Sequence, residues 1–135
     1  MKIIDGKEVS NYICEDLKNK IKTLNKHPCL AVIVVGHRKD SIAYVGMKKK
    51  KCIELGISST ILKLSELVTQ AELLAKIEEL NNDDSIDGIL VQLPLPDHID
   101  KNLILESINV EKDVDGFHYS NMGKLAINTN PSFYP

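Results

Sequence analysis

No stretch of this chain approaches the ~20 consecutive apolar residues that cross a bilayer. The opening Met1-Lys2-Ile3-Ile4-Asp5-Gly6 reaches an acid and a glycine too soon for the apolar core of a signal peptide. No membrane partner is expected. Charge of one dominant sign is also lacking: a formal net charge of -2 gives no long-range attraction for nucleic acid phosphates or anionic lipid. Cys14, Cys29 and Cys52 lack the Cys-x-x-Cys spacing of a metal or redox site, and an odd count of thiols fits a reducing, cytoplasmic setting. Gly-x-Gly-x-x-Gly is absent, as are internal repeats, low-complexity stretches and linkers.

What is present is the composition of an ordinary soluble globular domain, 43% hydrophobic and 27% charged. Its 135 residues suit one domain with one core. Val9, Ile13, Leu17, Ile21 and Leu24 recur at helical spacing and predict a surface helix from Lys7 to about Lys26 with a buried stripe. Leu30–Val35 is short, β-branched and unalternated, the pattern of a strand buried on both faces. A helix is expected from Ser41 to Leu55, closed by Gly56 as a left-handed cap, and then a strand from Ile57 to Leu64. Thr69-Gln70-Ala71-Glu72 is a capping box opening a helix to about Leu80. Gly88–Leu93 reads as a third buried strand, stopped by Pro94 and Pro96. A last helix is expected from Asp97 to Asn109, with Glu111 to Pro135 irregular. This alternation predicts an α/β fold, a three-layer sandwich in which a mostly parallel sheet carries helices on both faces. In such sheets ligands bind beyond the carboxyl ends of the strands, here Gly36–Ser41 and Gln92–Pro96.

Three constellations carry chemistry. Ser41, Tyr44 and Lys48, spaced by three and four, share one helix face. A lysine on a partly apolar face loses hydration, which favours a neutral amine fit for proton transfer, although many such lysines merely lay their stem along the core edge. Of Lys48, Lys49, Lys50 and Lys51, at most one faces a given site, because successive helical residues diverge by about 100°. Val91-Gln92-Leu93-Pro94 delivers an amide, both donor and acceptor, to a strand end. Lys112-Asp113-Val114-Asp115-Gly116-Phe117 offers two carboxylates without the spacing or closing glutamate of a calcium loop, so no metal is expected. A carboxylate there either caps a turn or accepts a pair of hydrogen bonds from an amidine-like edge such as that of a pterin.

Taken in order, Ile4-Asp5-Gly6-Lys7, Val35-Gly36, Asp40-Ser41-x-x-Tyr44-Val45-x-x-Lys48, Gly56-Ile57, Val91-Gln92-Leu93-Pro94-Leu95-Pro96, Lys112-Asp113-Val114-Asp115-Gly116-Phe117 and Gly123-x-Leu125 resemble the methylenetetrahydrofolate dehydrogenase/methenyltetrahydrofolate cyclohydrolase family over nearly all of the chain. The resemblance implies that Lys48 is the proton-transfer group, that Gln92 hydrogen-bonds it, and that Tyr44 stacks on the folate. It also implies that Ser41 lies beside the lysine, with Val91, Leu93 and Pro94 lining the substrate, and that Asp115 anchors the pterin ring. Residues 1–135 then form the family's catalytic, folate-binding domain. The substrate is a tetrahydrofolate derivative and NADP is the family's cofactor, held by a Rossmann domain that follows a Pro-Cys-Thr-Pro segment. The sequence stops at Pro135, the first residue of that segment. The expectations are therefore that this chain is truncated before the NADP-binding domain and cannot carry out the dehydrogenase step by itself. The alternatives are a non-catalytic folate binder, a subunit completed in trans by a separate Rossmann chain, or an inactive truncated product. The intact family is dimeric, and its first domain is completed by a helix from the far C-terminus.

Overall fold

Cys29–Val35 forms strand β1, and its last four residues, Val32, Ile33, Val34 and Val35, place side chains on alternate faces of the sheet. The computed structural model describes residues 4–129. Within them the elements run α1 (Gly6–Lys22), β1, α2 (Lys39–Leu55), β2 (Ser58–Leu64), α3 (Gln70–Asn81), β3 (Gly88–Val91), α4 (Lys101–Ser107) and α5 (Tyr119–Ala126). The three strands are all parallel, in the order β2-β1-β3. The chain leaves β1 toward β2 and later returns to the other side of β1, so the strand order reverses between β1 and β3. That reversal opens a crevice at their carboxyl ends.

Ala31, Ile33 and Val35 pack with Ile89 and Val91 against Leu73, Ile77 and Ile104 of α3 and α4. On the opposite face Val32, Val34 and Leu90 pack against Val45 of α2. Helices thus cover both faces, as the buried strand pattern requires. Gly56 closes α2 at φ 82, a backbone angle that costs a residue with a Cβ more than it costs glycine. The capping box is formed: Thr69 Oγ1 accepts from Glu72 N at 3.2 Å while Glu72 Oε2 accepts from Thr69 N at 2.8 Å. Thr69→Ala is expected to cost about 1 kcal/mol, read as a lower urea midpoint at unchanged slope.

Three expectations change. The α1 stripe is not buried: Val9, Ile13, Leu17 and Leu24 are exposed and only Ile21 is covered. The helix packs on α2 rather than on the sheet, and Ile21 reaches the Gly56 turn. The last predicted helix begins later, at Lys101, because Asp100 takes the cap position and accepts from Asn102 N at 2.8 Å. The tract from Glu111 is not irregular throughout, since α5 forms at Tyr119 with His118 as its cap, Nδ1 accepting from Ser120 N at 3.1 Å. A histidine cap on an eight-residue helix lies outside the Ser, Thr, Asp and Asn signals by which such starts are read. Residues 130–135 of that tract, Pro135 included, lie outside the described residues.

Candidate functional site

Lys48 sits on the α2 face that buries Ser41, Val45, Cys52 and Leu55, and it alone of the four consecutive lysines is half-buried. Lys49, Lys50 and Lys51 are exposed, the last paired with Glu54 at 2.6 Å. From this face the Lys48 ammonium donates to Gln92 Oε1 at 3.2 Å, across the crevice between α2 and the end of β3. Gln92 is held in that sense by its own neighbour, because its Nε2 donates to Leu93 O at 2.8 Å and so directs the carbonyl end toward the lysine.

The other expected residues distribute unequally. Tyr44, one turn before Lys48, is 56% exposed and presents its ring to solvent. Ser41 is buried in the first turn of α2, where its amide donates to Asp40 Oδ1 at 2.8 Å. Arg38 holds that same carboxylate in a two-point grip at 3.2 and 2.8 Å, and together with the Ser41 amide lowers Asp40 to about 2. The Val91 side chain belongs to the core beneath α3, so only its backbone reaches the strand end. Leu93 contributes the carbonyl that orients Gln92, and Pro94 follows it through a cis peptide bond.

The two aspartates of the 112–118 loop part company. Asp113 is 1% exposed and fully engaged: it accepts from Phe117 N at 3.3 Å, His118 N at 2.9 Å and Asn121 Nδ2 at 2.9 Å. Asp115 is partly buried, and no group among the described residues donates to its carboxylate. Burial pushes its carboxyl up from the usual range; the nearby Lys48 charge pulls it back, and Asp113 pushes it up again. The lysine at the head of the loop has a role that sequence reasoning missed. Lys112 donates to Leu80 O, Asn81 O and Asp83 O at 3.0, 2.9 and 2.9 Å, tying the loop to the carboxyl end of α3. A lysine after a helix carries no local sign that it will reach back about thirty residues to cap another.

Among the described residues no cluster of His, Cys, Asp and Glu has metal-holding geometry. The β1-to-α2 turn, Gly36-His37-Arg38, has one glycine and no side-chain cap, so the residues present do not form the glycine-rich cradle that a dinucleotide pyrophosphate needs. Among the described residues a groove at the carboxyl edge is lined by Gly36–Arg38, Glu66–Leu67 and Pro94–His98, and Lys48, Gln92 and Asp115 do not line it. No described helix is long and apolar enough to cross a membrane.

The family profile described as tetrahydrofolate dehydrogenase/cyclohydrolase, catalytic domain, matches residues 4–115. A bifunctional protein FolD of Campylobacter jejuni is 53% identical over 138 residues, and the alignment covers 100% of this chain and 49% of that protein. One of Flavobacterium johnsoniae is 47% identical over 139 residues, covering 100% and 47%. Among solved structures, the Campylobacter jejuni FolD methylenetetrahydrofolate dehydrogenase/cyclohydrolase superposes with a TM-score of 0.94 at 54% identity, covering 97% of this chain and 48% of that one. The Trypanosoma brucei enzyme, solved with NADP cofactor and inhibitor, gives 0.91 at 36% identity, covering 99% and 47%. The chain spans about half the length of the curated relatives it matches. On the profile match and these identities, this chain belongs to the tetrahydrofolate dehydrogenase/cyclohydrolase family and corresponds to its catalytic domain.

Proposed function

We propose that this chain is the folate-binding domain of an enzyme that interconverts 5,10-methylene-, 5,10-methenyl- and 10-formyltetrahydrofolate, with residues 1–135 forming one catalytic domain. The observation that carries the reading is the Lys48–Gln92 hydrogen bond of 3.2 Å beside a carboxylate, Asp115, to which no described residue donates. A half-buried cation and a free carboxylate at one sheet edge suit a ligand with an electrophilic carbon at one end and an amidine-like ring edge at the other.

In this reading Asp115 accepts two hydrogen bonds from the amino-pyrimidinone of the pterin, and the exposed Tyr44 ring stacks on the folate. Lys48 works at the one-carbon bridge. Hydrolysis of the methenyl group requires water to add to the amidinium carbon. One carbon–nitrogen bond then breaks to leave a formyl group, and a proton is released. Lys48, held at this bridge, relays a proton of the attacking water to the departing nitrogen. Gln92 steadies the amine through Oε1, and the Leu93 carbonyl keeps Oε1 turned toward it. The Trypanosoma brucei relative was solved with NADP cofactor, and NADP held by a further domain would supply the hydride acceptor for the dehydrogenase step. The described residues do not form its cradle, so no step here passes through it. An NADP-binding domain, in the same chain or supplied in trans, is part of the proposal. The exposed α1 stripe of Val9, Ile13, Leu17 and Leu24 is the surface on which the helix implied by the family resemblance would pack. A cytoplasmic setting fits the three free thiols.

Calorimetric titration with tetrahydrofolate tests the reading. Saturable binding is expected, weakened on the order of tenfold by Gln92→Leu, which leaves the Lys48 ammonium without its acceptor. Lys49→Met, on a side chain that points into solvent, is expected to bind like the native chain. Absence of saturable binding, or native affinity in Gln92→Leu, overturns the assignment.

A further inference from the structure

The turn that presents Asp115 is gripped from several sides, and none of the grips touches the Asp115 carboxylate. Behind it, Gly116 N donates to Asp113 O at 3.2 Å and Gly116 takes a φ of 71, so the chain reverses tightly after the aspartate. Below it, Ile89 N donates to Lys112 O at 2.7 Å, and Asp113 forms a parallel bridge with Ile89, laying the start of the turn along the free edge of β3. The fit there is tight. A Cβ built on Gly88 would stand 2.5 Å from Val114 Cγ1, so Val114 rests directly on the bare backbone of the strand. Beyond the turn, the Asp113 carboxylate gathers the amides of Phe117 and His118 and the Asn121 side chain.

Asn121 is the informative member. It is 0% exposed, its Oδ1 has no hydrogen-bond partner among the described residues, and its Nδ2 donates to Asp113 Oδ2 at 2.9 Å and, at 3.4 Å, to Val110 O. Turning the amide over would set its oxygen against the carboxylate, so the donor orientation is dictated by Asp113. A buried amide with one end unsatisfied is unfavourable for stability, and an apolar side chain of like size would avoid that penalty. What the asparagine supplies is the bond that completes Asp113. Neither side chain reaches solvent, so neither touches a ligand. We propose that Asp113 and Asn121, with Gly88 beneath Val114, are positioning residues that hold the Asp115 carboxylate at the Lys48 end of the site, so that folate affinity depends on them without contact. This rests on the reading of Asp115 as the pterin anchor.

The test is a double-mutant cycle read by tetrahydrofolate affinity in the full chain: native, Asn121→Ala, Asp115→Asn and the double variant. Asn121→Ala is expected to weaken binding ~10-fold when Asp115 is present and by less than about twofold when it is already replaced. A merely structural asparagine would lower the melting temperature equally in both backgrounds and leave the two affinity losses equal or absent, and that result overturns the proposal. Should Asp115→Asn alone bind normally, the anchor reading fails and the positioning with it. A loss in Asp115→Asn combined with an independent loss in Asn121→Ala sinks the positioning only. If Asn121→Ala does not fold, Gly88→Ala addresses the same turn. It should weaken binding by displacing Val114, and adding Val114→Ala should restore affinity by clearing the space. Failure of that rescue counts against the proposal as firmly.

Discussion

Lys48→Met is expected to lose ~10²–10⁴-fold of whatever methenyltetrahydrofolate hydrolysis the chain adds to the spontaneous rate, the contribution of one positioned proton-transfer group. Methionine keeps most of the stem on the half-buried α2 face that also carries Val45 and Cys52 and removes only the amine, so the fold should be unchanged. Lys48 and Gln92 are both only half-buried among the described residues. The native rate in the 135-residue chain should therefore be modest, because water is not excluded and charge stabilisation at the reacting carbon is screened. The measurement is the decay of methenyltetrahydrofolate absorbance with native chain, Lys48→Met, Lys49→Met and no protein. Equal rates for the two methionine variants would mean that Lys48 has no special place, and the domain would then be a binder only.

The second large effect runs in opposite directions for binding and for stability. Asp115→Asn is expected to weaken tetrahydrofolate binding on the order of 10- to 100-fold, the loss for charge-assisted hydrogen bonds that the amide cannot replace as a pair. The same substitution should raise the melting temperature near neutral pH. Burial is the main cause that lifts the Asp115 carboxyl, with Lys48 opposing and Asp113 adding to it. The folded chain therefore holds this proton more tightly than the unfolded chain does. A carboxyl raised on folding costs stability above its folded value, and the cost is relieved as pH falls through that value toward the ordinary carboxylate range. The advantage of Asp115→Asn should accordingly shrink on acidification and vanish below both values. A melting temperature at or below native at neutral pH would show that the charge is not held at a cost, and unchanged affinity would remove Asp115 from the site. A residue that weakens the fold and strengthens a ligand is the expected signature of a binding group rather than a structural one.

Much of the site was legible because helical geometry is rigid. Once Ser41, Tyr44 and Lys48 lie on one helix, their common face follows from 100° per residue, and Lys48 is half-buried while Lys49, Lys50 and Lys51 are not. Gln92 was legible because a strand ending at paired prolines must expose its last polar side chain near the sheet edge. The division of labour between Asp113 and Asp115 was not legible. Both stand in one short loop, and which becomes a buried cap depends on where Phe117, His118 and Asn121 return in space. The α1 stripe reads as buried because periodicity reports that a face is apolar without reporting what covers it.

By itself the sequence determined the strands, the three long helices, their caps at Thr69 and Gly56, and the parallel α/β order. These depend on side-chain periodicity and on backbone preferences within a few residues of each position. The tertiary structure alone decided the Lys48–Gln92 pairing across 44 residues and the reach of Lys112 to the end of α3. It also decided that Val114 rests on Gly88 and that no described residue donates to Asp115 while Asp113 takes three hydrogen bonds. Each of these is a contact between groups far apart in the chain, and its partner is set by how the β2-β1-β3 order stacks its crossovers. No local pattern of residues encodes that choice.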